Sequence, residues 1–290
     1  MNSSVAIKEV SGGPNPAVAG WLTISLVTSL VIALYAEILA DLAVEWWSVP
    51  SSSYGILIPP LAGYIAYMNR RALFAVPATP DLRGLCLTAS GCFFLIGGHL
   101  AAEFFLARLS IVLLTAGLVW TFWGSGRLRQ LMFPFVLLCT MVPLPAIVYN
   151  AVAVPLQLFA SEAATYAAQA VGVSIYRQGN IIQLANTSLG VAEACSGLQS
   201  LSALLVASLI VGFVENGSML GRVLLFLLAA PLAISVNVLR ITGTAILADY
   251  RLEFALGFYH SFSGWLVFIV GFGGLWLLGK AIFRLTGRRA

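Results

Sequence analysis

Residues 191–201 of the chain, VAEACSGLQSL, mark the point at which a polar stretch gives way to a long apolar segment. The sequence predicts that a helix begins here, with Cys195 at its N-terminal end between a carboxylate and a Ser-Gly pair. The positive end of a helix dipole favours thiolate over thiol, and the thiolate is the nucleophilic form. Cys195 is therefore a candidate for covalent catalysis. The alternative is an inert packing residue, which is the commoner role of a cysteine in apolar sequence.

The composition identifies an integral membrane protein. Of the 290 residues, 60% are hydrophobic and 9% are charged, whereas soluble domains carry about 25% charged residues. Apolar runs recur between short polar breaks, which favours a helical bundle over a barrel. No polar stretch is long enough to fold alone, so 1–290 is predicted to be a single membrane-embedded domain. The net charge of +4 does not indicate a nucleic-acid partner, because the basic residues lie in loops between the apolar runs.

The apolar runs predict an all-α polytopic membrane protein with about eight transmembrane helices. The predicted spans are 17–40, 54–68, 85–102, 104–123, 131–149, 195–214, 223–248 and 262–283. Eight spans place both termini on one side, and eleven of the 15 basic residues then share that side. The positive-inside rule makes this side the cytoplasm, with 1–16 as a cytoplasmic tail. The sequence thus predicts a multi-pass protein of the cell inner membrane whose active site faces the extracytoplasmic, periplasmic side.

The segment 151–194 is predicted to lie on the extracytoplasmic side and to lead into the candidate cysteine. A polar residue recurs at every fourth position of its first part: Gln157, Ser161, Thr165 and Gln169. This stripe indicates an interfacial helix over 151–171 or a helix lining a wet cavity, and a packed helix with a few tolerated polar residues is the alternative. A full span here would move the loop carrying Arg222 to the outer side. Short β-prone runs in 172–190, broken by turn residues, predict a small extracytoplasmic β-hairpin or meander.

Polar residues inside or at the ends of the last two predicted spans point to the same site. Arg240 lies about 13 Å below the outer end of its helix, which is too deep for easy snorkelling. Asn237 lies one turn away on the same face, so the two side chains can line one polar pocket. A structural role is the alternative, with Arg240 paired to Glu193, Asp249 or another carboxylate to lock the bundle. His260 stands at the outer start of the last span, so the cysteine, arginine and histidine are predicted to meet on consecutive helices.

The cysteine and histidine spacings do not predict a metal site. The four cysteines are Cys86, Cys92, Cys139 and Cys195. They form no CxxC pair and show no metal-ligand spacing with the two histidines. The sequence therefore predicts no metal, no cofactor and no disulfide framework.

A series of motifs runs over nearly the whole length of the chain: YGILIPP…NRR at 54–71, MVPLPAIVYN at 141–150, LQLFASEAATYAAQ at 156–169, YRQGNIIQL at 176–184, VAEACSGLQS at 191–200, NVLRI at 237–241 and the histidine before SGW. In these motifs the chain resembles the exosortase/archaeosortase family of membrane-embedded transpeptidases. Their order and spacing together make the resemblance specific. The Ser-His-Gly usual in the family's early outer loop reads Ser53-Tyr54-Gly55 here, so any role of that histidine is absent.

The resemblance implies a catalytic set of Cys195, Arg240 and His260. We predict that Glu193, Ser196 and Asn237 contact the substrate or support this set. The implied activity is that of a cysteine protease or transpeptidase that cleaves C-terminal PEP-CTERM-like sorting signals of exported proteins through a thioester. The implied partners are membrane-anchored protein substrates within the membrane lipid, and the acceptor that resolves the thioester is left open.

Two other functions fit parts of the sequence. An intramembrane peptidase would use Ser196 as its nucleophile and would only hydrolyse its substrate. A non-enzymatic transporter would also use a buried arginine and broken helices. Against a transporter, no inverted repeat is visible in the sequence, and no intramembrane acidic residue is expected to pair with a basic residue across the two halves of the chain.

Overall fold

A computed structural model describes residues 16–184, 188–190, 197–251 and 257–287 of the chain. Internal contacts define two compact units, Met1–Ala43 and Val44–Ala290. The single domain predicted over 1–290 stays a prediction.

The first unit consists of helix α1, Pro16–Leu34, and the first part of helix α2, Ala36–Ser48. The two helices are bent by 60° at a break that follows Leu34. The predicted first span, 17–40, therefore crosses a break, and the pair forms either one broken span or a re-entrant loop.

The second unit is mainly helical. After a 3₁₀ helix at Pro50–Leu57, its helices are α3 (Ile58–Met68), α4 (Arg70–Ala75), α5 (Gly84–Leu100), α6 (Phe104–Gln130), α7 (Met132–Cys139), α8 (Ala146–Ala170), α9 (Leu198–Val214), α10 (Met219–Tyr250) and α11 (Gly257–Thr286). Glycines let α5 and α6 approach each other closely. A Cβ at Gly91 would lie 2.7 Å from the backbone nitrogen of Leu114, and a Cβ at Gly98 would lie 2.6 Å from that of Ala107. Small residues at such interfaces are typical of helix pairs in membranes.

The structure does not confirm eight transmembrane helices. Within the described residues, four helices are long and apolar enough to cross a membrane, and the bent pair at the N-terminus makes up to five. The four are α6, α8, α10 and residues Phe262–Thr286 of α11. The predicted spans at 85–102 and 195–214 correspond to the shorter apolar helices α5 and α9. The predicted span at 54–68 begins with a 3₁₀ helix and then continues as α3, which has only 11 residues.

The predicted boundary between a span at 131–149 and an interfacial helix at 151–171 is wrong. The break comes earlier: α7 ends at Cys139, and α8 begins at Ala146 and runs for 25 residues. Pro143 and Pro145 lie in the break, where prolines disfavour helical backbone at the residues before them. By length and composition α8 could itself cross a membrane. The side of the membrane on which each loop lies stays a prediction.

The predicted hairpin is present and has a third strand. β1 (Ile175–Gln178) pairs antiparallel with β2 (Ile181–Leu184), which pairs antiparallel with β3 (Ser188–Gly190). Gly179, with φ of +66°, lies in the turn between the first two strands. Ile175, Ile182 and Leu184 bury their side chains against α8 and α10, so one side of the sheet is a packing surface.

Two residues of the polar stripe of α8, Ser161 and Gln169, bond to this sheet or its first turn. Ser161 is fully buried, and its hydroxyl donates to the carbonyl oxygen of Leu158 and, at 3.4 Å, to that of Gly179. The Gln169 Nε2 donates to the carbonyl oxygen of Ile175 at 2.7 Å. The stripe thus fixes the sheet on the helix, which agrees best with the packed-helix interpretation.

The length of α10 explains where the sheet lies. Its 32 residues span about 48 Å, compared with about 30 Å for the hydrocarbon core of a bilayer. Helix α9 begins beside Asn237, so about 20 Å of α10 extends beyond the start of α9. Ile241 and Ala248, in this extension, pack against α8 and the sheet. The sheet, α8 and the C-terminal part of α10 thus pack together as one assembly.

Candidate active site

Helix α9 begins at a glycine that is pressed against α10. Gly197 has φ of +85° and is buried, and its carbonyl oxygen accepts the first helical hydrogen bond, from the Leu201 N–H, at 2.8 Å. A Cβ on Gly197 would lie 2.7 Å from Asn237 Nδ2. Both the backbone conformation and the close approach therefore require glycine here. The predicted site residues Glu193, Cys195 and Ser196 lie outside the described residues.

The α10 residues of the predicted site lie opposite this glycine. Asn237 is 2% exposed. Arg240 follows one turn later and is partly buried, with its Nε atom fully enclosed. Asp249, nine residues further along the same continuous helix, lies on its opposite face. The structural alternative in which Arg240 pairs with Asp249 is therefore wrong.

The guanidinium group of Arg240 reaches α11. A Cβ on Gly264 would lie 3.2 Å from Arg240 Nη2, so the absence of a side chain there makes room for the arginine. His260 lies in α11 one helical turn before Gly264, and its side chain is outside the described part of the structure. Gly197 and Gly264, which lie close in sequence to Cys195 and His260, thus both contact the stretch of α10 that carries Asn237 and Arg240. Gly197 follows Cys195 by two residues, and Gly264 follows His260 by four.

The other face of α9 contacts the 3₁₀ helix, which the sequence did not predict to be part of the site. The Tyr54 side chain of the 3₁₀ helix lies against the Ser202 side chain of α9. Within the second unit, the Trp46 Nε1 donates to the carbonyl oxygen of Met141 at 3.0 Å. The only signal in the sequence was Tyr54 itself, where the family pattern has histidine.

No group of three His, Cys, Asp or Glu side chains among the described residues could hold a metal ion. The predicted absence of a metal and a cofactor stays a prediction. The described residues place a partly buried guanidinium, that of Arg240, one helical turn from the buried amide of Asn237. Both lie where α10 meets the start of α9 and α11.

These features define a multi-pass membrane protein with polar groups buried between the helices near one end of the bundle. The model of the transmembrane exosortase family matches residues 46–277, and the chain belongs to that family. The matched region starts near the beginning of the second compact unit and contains all six predicted site residues. Comparisons with curated proteins and with solved structures gave no match.

We expect Gly197→Ala to destabilise the protein more than Gly179→Ala, a matched substitution at a second glycine with positive φ. An alanine at either position adopts a left-handed conformation at a cost of about 1–2 kcal/mol. At Gly197 the new methyl group also meets Asn237, whereas at Gly179 it meets no described atom within 4 Å. Such overpacking adds about 1–3 kcal/mol. The difference is measured as the Tm of each variant in detergent. If Tm falls equally in the two variants, the contact with Asn237 does not contribute to stability.

Proposed function

We propose that this exosortase-family protein is a cysteine transpeptidase of the inner membrane that cleaves C-terminal sorting signals at the extracytoplasmic face. The observation that supports the proposal is the convergence of Gly197, Asn237, Arg240 and Gly264. Cys195 stands two residues before the first of these and His260 four residues before the last. A nucleophile, a base and a fixed cation within one region are the groups that amide cleavage through a thioester needs.

The proposed reaction has two steps. The thiolate of Cys195 attacks the carbonyl carbon of the scissile amide to form a tetrahedral oxyanion, which collapses to a thioester as the C–N bond breaks. His260 donates a proton to the leaving amine. An acceptor amine or hydroxyl then attacks the thioester while His260 takes its proton, and the Cys195 thiolate is released.

Arg240 supplies fixed N–H donors to the oxyanion or to the substrate's backbone. A guanidinium in a water-poor site stabilises the negative charge of the oxyanion more strongly than it would in bulk water. Asn237 occupies the same pocket and supports the start of α9. Glu193 and Ser196 are proposed to contact the substrate beside the nucleophile.

The proposed substrate is a membrane-anchored protein with a short Pro-Glu-Pro-like motif, one apolar helix and a basic tail. The helix would place the motif at the outer membrane–water interface. In the topology predicted from the positive-inside rule, that is the level of Cys195.

A reporter tests this function. A soluble domain carrying this three-part signal should lose its helix and tail when it is incubated in detergent with the purified protein. A reporter with a scrambled motif and an unchanged helix should stay intact. The proposal would be contradicted if the two reporters lost their helices at equal rates. It would also be contradicted if the protein processed no sorting signal taken from the same genome.

A further inference from the structure

A cleft of about 1010 Å³ opens beside α9. Its walls come from the 3₁₀ helix, the turn between α5 and α6, the segment 143–150 and the first turns of α9. Gln199 and Ser202 are the two α9 residues that line it.

The cleft and Arg240 lie on opposite sides of the α9 N-terminus. Within α9, Leu204 packs against α10 and α11. At 100° per residue, Gln199 and Ser202 lie about 140° and 200° around the helix from Leu204. Cys195 precedes Gly197 by only two residues in the sequence. A ligand that leaves the cleft across the start of α9 therefore passes the region of the proposed nucleophile on its way to Arg240.

The charged groups in the cleft wall already have partners. The Arg108 Nη1 lies 2.6 Å from the Glu45 Oε2, and the two side chains are 13% and 26% exposed. The Glu103 carboxylate accepts a hydrogen bond from the backbone N–H of Phe105 at 3.2 Å and caps α6. The cleft is therefore poorly suited to selecting a highly charged ligand.

The neutral polar groups suit a peptide. Amides from Asn150 and Gln199 and hydroxyls from Tyr149 and Ser202 line the cleft together with prolines and aromatic rings. Side-chain amides can both donate to and accept from the peptide groups of an extended chain. A lipid tail offers no partner for them. The volume is at the upper end of the range of about 300–1,000 Å³ for ligand pockets, which accommodates several residues rather than one side chain.

We propose that this cleft binds the extended peptide segment of the substrate next to the scissile bond, with Gln199 as a positioning residue. The assignment rests on the proposed function for the identity of the peptide. The cleft assignment identifies the surface of the protein that binds the peptide before Cys195 reacts with it.

Photocrosslinking tests binding without any need for cleavage. Leu144, which lines the cleft and is 50% exposed, is replaced by benzoylphenylalanine in a Cys195→Ala protein. The control carries the same group in place of Leu227 of α10, which is 60% exposed and does not line the cleft. We expect the reporter to crosslink at 144 and not at 227, and to lose the crosslink when its motif is deleted.

The outcomes separate the two proposals. If the reporter fails to crosslink at 144, or if only lipid crosslinks there, while the protein with Cys195 processes the reporter, the cleft assignment is overturned and the proposed function stands. If the reporter crosslinks at 144 but the protein with Cys195 never processes it, the cleft assignment stands and the cleavage function fails. If neither processing nor crosslinking occurs, both are overturned.

Kinetics test the role of Gln199. Gln199→Leu should raise KM about tenfold and leave kcat unchanged, because the lost hydrogen bond contributes equally to the bound substrate and the transition state. Gln130→Leu, the same change at an exposed position at the far end of α6, should alter neither constant. An unchanged KM in Gln199→Leu, or a fall in kcat alone, would remove Gln199 from the peptide site.

Discussion

Replacing Cys195 with alanine should abolish processing of the reporter, by a factor on the order of 10⁴–10⁶ where the assay has that range. An alanine has no group that can form a thioester, so the first step has no covalent route. Cys195→Ser should keep at most a trace, because a hydroxyl without a strong base is a far poorer nucleophile. Ser196→Ala should keep far more of the rate than Cys195→Ala, because Ser196 is proposed to contact the substrate and not to attack it.

The matched control for this change is Cys86→Ala, which removes an exposed cysteine of α5 that has no proposed role. It should process the reporter at the parental rate. Processing by Cys195→Ala together with its loss in Ser196→Ala would make Ser196 the nucleophile and would favour the hydrolytic intramembrane peptidase.

Arg240→Lys should slow processing at least about a hundredfold while the protein is still made and inserted. Losing one well-placed oxyanion donor typically costs about 10²–10³ in rate. Lysine keeps the positive charge but cannot reproduce the planar fork of the guanidinium. A purely structural arginine that neutralises a carboxylate would tolerate lysine, so this substitution separates the two roles.

Arg251→Lys, an exposed change at the end of α10, is the control for Arg240→Lys and should leave the rate unchanged. Thermal stability in detergent is measured for both variants beside the reporter rate. A near-parental rate in Arg240→Lys, or a lost rate that a lost Tm accounts for, would assign Arg240 to the scaffold.

The helices that were predicted well are those whose apolar runs have clear ends. The predicted spans at 104–123 and 223–248 lie within α6 and α10, because long apolar runs leave few alternative positions for a membrane helix. The prediction failed at 131–171, where two prolines interrupt one apolar run and the next helix starts earlier than its polar stripe suggested. Composition alone could not tell a span from a helix that packs against a sheet, because both are apolar on most faces.

The candidate site was predictable where one helix carries two polar residues. Asn237 and Arg240 share a face of α10 by spacing alone, and the structure adds that Gly197 and Gly264 make room for them. The cleft could not be predicted, because its walls come from segments up to about 150 residues apart whose polar residues are single and irregularly spaced. Such a site emerges only from tertiary packing.

The central claim is that Cys195 forms a thioester with the substrate, and detection of that intermediate tests it most directly. The purified protein is mixed with the reporter, quenched in acid and digested, and the mass of the peptide that contains Cys195 is measured. We expect this peptide to carry the new C-terminal end of the reporter, through a bond that neutral hydroxylamine cleaves. A reporter fragment attached instead to Ser196, or processing at full rate with Cys195 never modified, would contradict the account.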